Sequence, residues 1–343
     1  MYKKNALQGL AGLALATLLS LTGTRAQAQT FCVFDPLGTG GDYYSMFQDY
    51  QLAAKRWGVN IDLKVYPDDL QLDEAFKSGQ CDMASMIGHH ARLYNAFTGT
   101  LDAPSVIENY SEEREAMNLI ASPKATKYMV SGGYEVVGVI PAGAAYPFVN
   151  DRRINSFLHA TGKKVGVMEW DKTQTVMAEH FNVTPVPLPL IGLGPAFNTG
   201  KVDVIVVPVA LYKALELNKG IGTTGGVIRR PLFCLTMQLV AHTGKFPPDF
   251  GQKSREYMNG QTDHALGIIH NLESGLDSHM WIYATRNNIE EWNTSMRSLL
   301  GKLMAQNFYD PRMVSILRRI RCKTDSNEPE CAPTAEQRAE GYK

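Results

Sequence analysis

The sequence predicts an α/β protein of two similarly built lobes, joined by hinge strands and followed by a helical C-terminal region. Three observations carry this prediction: an alternation of strands and helices near the N-terminus, its return after residue 160, and a nearly matching string in both copies. Strands that alternate with helices along a chain form parallel sheets with right-handed crossovers. Each copy is therefore expected to form one parallel βαβαβ unit.

The first unit begins with the short apolar strand Phe31–Phe34 and a loop rich in turn residues up to Asp42. The helix that follows carries its apolar residues three or four positions apart, and Gly58 ends it as a C-terminal cap. A second strand alternates apolar and polar residues from Ile61 to Val65, and Asp82–Ile87 is the third. We expect the first and third strands to lie side by side.

The second unit repeats this order with strands at Lys164–Met168, Val183–Leu188 and Val202–Val207. The strings Phe76–Met83 and Phe197–Val204 both read F-x-[ST]-G-x-x-D before an apolar strand. In each string an apolar residue closes a helix, glycine caps it, and aspartate leads into a buried strand. The repetition predicts two lobes of like construction.

Hinge strands are expected near Val136–Ile140 and Val227–Leu235, so that the first lobe takes chain from both sides of the second. After a turn at Phe246–Phe250 the chain is predicted to be mostly helical from about Gln252 to Ile320. The predicted boundaries are a leader at 1–28, a first lobe at 29–135 plus 228–320, a second lobe at 136–227 and a polar tail at 321–343.

The N-terminus has the three parts of a secretory signal peptide. Lys3 and Lys4 precede an apolar run from Ala6 to Leu21, and Ala26-Gln27-Ala28 forms a small-residue cleavage pattern. An uncleaved membrane anchor is the alternative, but a span needs roughly 20 apolar residues. We expect cleavage after Ala28 and release into the periplasm.

The charge balance argues against a nucleic-acid partner. The chain has 34 basic and 34 acidic residues, and three of the basic ones lie in the predicted leader, so the mature chain is slightly acidic. Nucleic-acid binding requires a basic face, and so does electrostatic attachment to anionic lipid. A small organic solute is the expected partner, and the oligomeric state is left open.

The oxidising periplasm makes the five cysteines candidates for disulfides. Cys32 and Cys81 stand at the starts of two strands that should be neighbours, and Cys322 and Cys331 enclose a short polar loop. Two disulfides, Cys32–Cys81 and Cys322–Cys331, are therefore predicted. Cys234 lies in an apolar segment and is expected to be a buried free thiol.

Several of these residues resemble a known family. The loop Gly38–Tyr44 resembles the G-x-G-G-x-Y-Y loop of binding proteins for tripartite ATP-independent periplasmic (TRAP) transporters, and Gly79-x-x-Asp82 and Gly200-x-x-Asp203 are similar to elements of such receptors. The turn at Phe246-Pro247-Pro248 also resembles their C-terminal part. The resemblance implies a two-lobed periplasmic binding protein of type II-like fold, which closes on a small organic solute and delivers it to a TRAP-type secondary transporter without a cofactor.

The chain departs from the dicarboxylate-type receptors at one position. Those receptors carry an arginine in the first strand of the second lobe, where it clamps the substrate carboxylate. The equivalent position in this sequence is Gly166, so the resemblance does not supply the clamp. Arg92, Arg152 and Arg153 are the alternatives for that role.

Candidate ligand-binding residues follow the carboxyl ends of the predicted strands, where open α/β sheets bind ligands. The glycine-rich loop can bring backbone close to a ligand, its tyrosines can stack or donate hydrogen bonds, and Trp170 can cover an apolar or cationic solute. The adjacent histidines suit hydrogen bonding better than metal binding, because no third ligand stands at a suitable spacing. The predicted ligand-binding residues are Thr39, Gly40, Gly41, Asp42, Tyr43, Tyr44, Gly88, His89, Arg92, Trp170, Thr173, Pro208 and Tyr212.

The sequence contains no recognised nucleophile, zinc-hydrolase or nucleotide-binding motif, so a protein without enzymatic activity is expected. Three other roles stay open. They are a receptor for an ATP-driven importer or a sensor kinase, an accessory protein of an efflux assembly, and an exported hydrolase on a two-lobed scaffold.

Overall fold

A computed structural model describes residues 28–324, 326 and 331 of the chain. Apart from Ala28, the predicted leader lies outside the described residues, as does most of the polar tail. The strands are β1 (Gln29–Phe34), β2 (Ile61–Tyr66), β3 (Met83–Ile87), β4 (Val130–Ser131), β5 (Tyr134–Val149), β6 (Lys164–Met168), β7 (Thr184–Leu188), β8 (Val204–Pro208), β9 (Gly226–Ile228), β10 (Phe233–His242) and β11 (Trp281–Ile282).

The helices alternate with the strands in both lobes and then dominate the C-terminal part. They are α1 (Asp42–Arg56), α2 (Asp69–Lys77), α3 (Gly88–Ala91), α4 (Ala96–Gly99), α5 (Tyr110–Ala121), α6 (Thr126–Met129), α7 (Phe157–Ala160), α8 (Lys172–His180), α9 (Leu190–Asn198), α10 (Leu211–Ala214), α11 (Asn218–Ile221), α12 (Phe250–Gly260), α13 (Thr262–Ser274), α14 (Arg286–Ala305) and α15 (Pro311–Thr324). Within the described residues, no helix is long and apolar enough to cross a membrane.

The strands of the two units form one sheet in the order β2-β1-β3-β10-β5-β8-β6-β7. In the first lobe β1 lies between β2 and β3 and is parallel to both. In the second lobe β6 lies between β7 and β8 and is again parallel to both. This confirms the predicted pair of α/β lobes with the first and third strands side by side.

The long antiparallel strands β5 and β10 connect the two lobes. Their pairing runs from Phe233 opposite Ala145 to His242 opposite Tyr134, with β3 flanking β10 and β8 flanking β5. Pro231 interrupts the predicted return strand, so β9 ends at Ile228 and β10 begins two residues after the proline. Both lobes are therefore attached to the same two strands, while the predicted lobe boundaries stay a prediction.

Three predicted helix caps have the backbone conformation that glycine favours. The φ angles of Gly58, Gly79 and Gly200 are +80°, +76° and +72°. A residue with a side chain is strained at such angles. The glycines end α1, α2 and α9, so the matching strings at the two third strands have the same physical cause in both lobes.

The C-terminal region is helical as predicted, with one exception. Trp281 lies in the short strand β11, which pairs with β9 in parallel and adds to the second-lobe side of the sheet. Helix α12 packs against β5, and α15 packs against α5. The buried face of α14 includes Trp292, which reaches the second lobe. The C-terminal helices therefore contact both lobes.

Both predicted disulfides are present. Cys32 in β1 is joined to Cys81 just before β3, with 5.7 Å between their Cα atoms, and Cys322 is joined to Cys331. Cys32 lies within its strand rather than at the start, because β1 begins at Gln29. Cys234 is a buried free cysteine in β10, as expected.

Candidate functional site

A cavity of about 150 Å³ lies where the two lobes meet the crossing strands. β5 and β10 contribute alternate residues to its wall, and β6 and β8 contribute residues along most of their length. β1 and β3 contribute Phe34 and Ile87, the last residues of each strand, at the edge where the strands end. This is the edge at which open α/β sheets bind ligands. The cavity extends into the second lobe, where Phe157, Met177 and Phe181 line it.

The wall of the cavity is almost entirely apolar. Among the described residues, no aspartate, glutamate, lysine or arginine lines it. Its polar side chains are Tyr43 and His89 from the first lobe, Ser156 and Gln174 from the second, and the Trp292 indole. Such a wall interacts with a ligand mainly through apolar contact, and a few neutral groups supply hydrogen bonds.

The His89 ring is a neutral hydrogen-bond acceptor at the first-lobe wall. Its Nε2 lies 3.0 Å from the Asp102 carbonyl oxygen, which can only accept, so Nε2 carries the proton and Nδ1 is left as an acceptor. Burial lowers the pKa of His89 despite the nearby Asp171 carboxylate, so the ring stays neutral. The ring also packs edge-on against Phe233.

Gln174 and Tyr43 offer the complementary hydrogen-bond donors. The Met168 N–H donates to Gln174 Oε1 over 2.8 Å. This hydrogen bond occupies the amide oxygen and leaves the NH₂ group of Gln174 as a donor. Burial raises the pKa of the half-buried Tyr43 phenol, which therefore keeps its proton. The polar groups of the wall are thus uncharged.

Gly166 is closely packed at the position where dicarboxylate-type receptors carry an arginine. A Cβ atom at this position would lie 2.9 Å from Leu193 and 3.1 Å from Ile205, both side-chain atoms of the second-lobe core. A side chain built there would enter a packed apolar layer rather than open space. A side chain at this position would therefore require Leu193 or Ile205 to shift, and the glycine present supplies no clamp for a carboxylate.

The three alternative arginines are already engaged, and none of them appears among the described cavity-lining residues. Arg92 forms a buried ion pair with Asp171 and lies over the Tyr309 ring. Arg152 donates to three backbone carbonyl groups at one end of the sheet, and Arg153 pairs with Asp151 at the surface.

Side chains from the two lobes contact each other beside the cavity. Arg92 Nη2 of the first lobe lies 2.8 Å from Asp171 Oδ1 of the second. Trp170 Nε1 of the second lobe donates to Asp69 Oδ2 over 3.0 Å, and its indole packs on the His90 ring at 4.4 Å. These contacts join residues of the two predicted lobes directly in this structure.

The His90 imidazole makes the stability of this region depend on pH. Burial alone would lower its pKa, but ion pairs with Asp69 and Asp73 raise it overall. Tyr94 and Lys77 also donate to Asp73. A raised histidine pKa stabilises the folded state below the ordinary value of 6.5 and loses this contribution as the pH rises through the folded-state pKa.

We expect the midpoint of urea unfolding to fall between about pH 6 and about pH 8, and His90→Gln to flatten that part of the profile. His279→Gln is the matched control, because His279 is exposed and pairs only with the neighbouring Asp277 among the described residues. Equal slopes for wild type and His90→Gln would contradict the assignment.

The glycine-rich loop after β1 has a structural role at Gly41. A Cβ atom there would lie 2.0 Å from both carboxylate oxygens of Asp35. Those oxygens accept hydrogen bonds from the backbone N–H groups of Leu37 and Tyr44, at 2.9 and 3.1 Å. The missing side chain at Gly41 therefore lets a buried carboxylate fix the loop that presents Tyr43 to the cavity.

We expect Gly41→Ala to lower the free energy of unfolding by about 1–3 kcal/mol, because Asp35 must give up its hydrogen bonds while remaining buried. Gly40→Ala is the matched control, since no atom lies within 4 Å of a Cβ built there. Urea titration of both variants measures the difference. If Gly40→Ala lowered the free energy of unfolding by the same amount, the cause would be backbone conformation and not the contact with Asp35.

Three of the predicted ligand-binding residues line the cavity: Tyr43, His89 and Pro208. The others lie outside its wall, and ligand contact by them stays a prediction. They are Thr39, Gly40, Gly41, Asp42, Tyr44, Gly88, Arg92, Trp170, Thr173 and Tyr212.

Several residues outside the wall have structural partners instead. Gly88 lies against Asp102, where a Cβ would approach the carboxyl group to 2.4 Å. Thr173 donates to Asp171 from its hydroxyl and from its backbone N–H. Tyr212 stacks on Phe148 and donates to the Met280 sulfur.

Most of the apolar wall was missed by sequence reasoning. Phe233, Leu235 and Met237 alternate along β10 and all face the cavity, so period-2 spacing on a crossing strand is a usable signal. Phe157 and Trp292 carry no such signal. They reach the cavity because α7 and α14 pack on the second lobe, which local pattern does not reveal.

Comparison with protein families places the chain among binding proteins. The family model described as solute-binding protein AdeT 1/2 matches residues 50–336. The "Probable solute-binding protein AdeT1" of Acinetobacter baumannii is 37% identical over 300 residues, covering 88% of this chain and 99% of that protein. "Probable solute-binding protein AdeT2" of the same organism is 22% identical over 233 residues, 68% of this chain and 98% of that protein.

Solved structures with the same fold are TRAP periplasmic solute-binding proteins. The protein from Ralstonia eutropha H16 with bound (S)-2-acetolactate has a TM-score of 0.72 at 13% identity, over 87% of this chain and 99% of that one. The protein from Haemophilus influenzae with bound L-gulonate has a TM-score of 0.70 at 13% identity, over 85% and 99%. At such identities the likeness establishes the fold alone.

Proposed function

Since the chain belongs to the AdeT1/2 family of solute-binding proteins, we propose that it is a periplasmic receptor that captures a small organic solute by closing its two lobes. The observation that carries the proposal is the cavity at the carboxyl ends of β1 and β3 and along β6 and β8, which both lobes line. A solute in this position contacts both lobes only when they are closed, so its binding energy favours the closed form.

The inter-lobe contacts supply part of the closing energy. The Arg92–Asp171 ion pair and the Trp170–Asp69 hydrogen bond form only when the lobes meet. The connection between the lobes runs through β5 and β10, whose pairing changes register between Leu235 and Thr236 and again between Leu239 and Val240. The first of these shifts is the one beside the cavity-lining residues Leu235 and Met237. We place the hinge at this irregularity, because a register shift interrupts the regular ladder of hydrogen bonds.

We further propose that the closed, loaded form delivers its solute to a TRAP-type secondary transporter. The support is the shared fold with receptors described as TRAP periplasmic solute-binding proteins, several of which hold organic acids such as L-gulonate. In this role the transporter recognises the closed arrangement of the two lobes, and the receptor performs no chemistry on the solute.

The proposal is tested on protein expressed with its own leader and released from the periplasm. We expect the purified protein to begin at Gln29 and to hold one small organic molecule per chain in native mass spectrometry. We also expect its radius of gyration to increase when that molecule is removed. Absence from the periplasmic fraction would refute the location. A protein that is empty and has the same radius of gyration throughout would refute capture by closure.

A further inference from the structure

We infer that the cavity takes an uncharged, mainly apolar solute of about the size of a single ring, and not an organic acid. The inference rests on the proposed function and names the class of solute for the same site. The absence of charged side chains from the described wall carries it, because Arg92, Arg152 and Arg153 all lie outside that wall. Arg92 Nη2 pairs with Asp171, and Arg92 Nη1 is buried without a hydrogen-bond partner among the described residues.

A carboxylate in this cavity meets no lysine or arginine side chain among the described residues of the wall. Burying an ion away from water is unfavourable unless a partner of opposite charge or several hydrogen bonds compensate for the lost hydration. The charge of Arg92 is compensated by Asp171, and the position of the clamping arginine is occupied by Gly166, which has no side chain. An organic acid would therefore have to displace Asp171 or stay partly hydrated.

The buried acids behind the first-lobe wall are set back from the described wall of the cavity, so neither can pair directly with an organic cation in it. Asp102 accepts hydrogen bonds from the backbone N–H and hydroxyl of Thr236, and burial raises the pKa of this carboxyl to about 7. Burial also raises the pKa of Glu113 well above its usual range. Neither carboxyl group lies in the described wall of the cavity.

The second-lobe wall suits a flat apolar solute. The rings of Phe157 and Phe181 stack with centroids 3.8 Å apart, and Trp292 stacks on the other side of Phe157 at 4.3 Å. All three side chains line the cavity. An apolar cavity of about 150 Å³ accepts a benzene-sized molecule.

Neutral hydrogen-bonding groups set the orientation of the solute. His89 Nδ1 can accept from a hydroxyl or N–H group, and the Gln174 NH₂ group can donate to a carbonyl or hydroxyl oxygen. They lie on different lobes, so a solute that uses both would bridge the cavity and favour closure. The hydroxyl of a single-ring alcohol can donate to His89 Nδ1 or accept from the Gln174 NH₂ group.

The test compares three molecules that share one ring and differ in charge: benzyl alcohol, benzoate and benzylamine, the last being cationic at neutral pH. Binding to the stripped wild-type protein is measured by isothermal titration calorimetry. We expect benzyl alcohol to bind at least about tenfold more tightly than either ion, a difference of about 1.4 kcal/mol. A preference for benzoate or benzylamine overturns the inference, and so does failure of all three to bind, because the cavity is sized for one ring.

A pair of variants tests whether the charge of the cavity wall determines which class of solute binds. Met177→Lys places a cation in the wall, while Val176→Lys places the same charge on the same helix outside the described wall. We expect Met177→Lys to gain at least about tenfold in benzoate affinity, and Val176→Lys to behave like wild type. Equal benzoate affinity in all three proteins contradicts the inference.

These results separate the two proposals. A protein that closes around a co-purified organic acid retains the proposed function and loses the inferred solute class. A protein that neither closes nor holds any solute loses both.

Discussion

Asp171→Asn is expected to shift the protein from the closed to the open form. The side chain is buried and accepts from Arg92 Nη2 at 2.8 Å, Thr173 N at 3.0 Å and Thr173 Oγ1 at 2.7 Å. Burial alone would raise its pKa, but the neighbouring positive charge and the Thr173 hydrogen bonds lower it, so the carboxylate is ionised. Asparagine keeps an oxygen for the helix cap and removes the charge that compensates Arg92.

Leaving one member of a buried ion pair uncompensated costs about 3–5 kcal/mol. Arg92 recovers its hydration when the lobes separate, so most of this cost falls on the closed form rather than on each lobe. The expected result is a larger radius of gyration in small-angle X-ray scattering and a solute affinity lower by about two orders of magnitude or more.

The double variant Arg92→Met/Asp171→Asn should recover much of the loss, because neither charge is then buried alone. Asp151→Asn is the matched control, since it breaks the exposed pair with Arg153 and should leave scattering and affinity unchanged. If Asp171→Asn retained the wild-type radius of gyration, the ion pair would have no role in closure.

Removing the Cys32–Cys81 disulfide should produce the other large effect. The bridge joins residues 49 positions apart and constrains the unfolded chain, which corresponds to about 4 kcal/mol in the loop-entropy treatment. Both cysteines are fully buried between neighbouring strands, so Cys32→Ala/Cys81→Ala also loses packing. We expect the free energy of unfolding in urea to fall by at least about 3 kcal/mol.

The second disulfide is the natural comparison. Cys322–Cys331 spans nine positions, so Cys322→Ala/Cys331→Ala should cost less than the first pair. Breaking the first bridge should also leave lobe closure unchanged, because it lies within one lobe. If Cys322→Ala/Cys331→Ala lowered the free energy of unfolding more than Cys32→Ala/Cys81→Ala, loop length would not explain the stabilisation by the two disulfides.

The sequence by itself determined those features whose signals are local. Alternation of apolar residues revealed the strands, glycines at helix ends marked the caps, and the repeated string ending at Asp82 and Asp203 revealed two units of the same construction. From the topology of such units the Cys32–Cys81 bridge and the ligand-binding edge followed. Tyr43, His89 and Pro208 were expected near that edge and line the cavity in the structure, while ligand contact by them stays a prediction.

The chemistry of the site was decided by the tertiary structure. Arg92 and Asp171 are 79 positions apart and meet only through tertiary contact, so the charge of a side chain that the sequence offered to a ligand is compensated by the protein itself. Gly166 in β6 lies against Leu193 of α9 and Ile205 of β8, which are contacts between elements that are distant in the sequence. The apolar wall arises in the same way, from helices α7, α8 and α14 packed on the second lobe. Pattern along the chain specifies which face of an element is apolar, but the docking of elements decides which apolar faces are left to bind a solute.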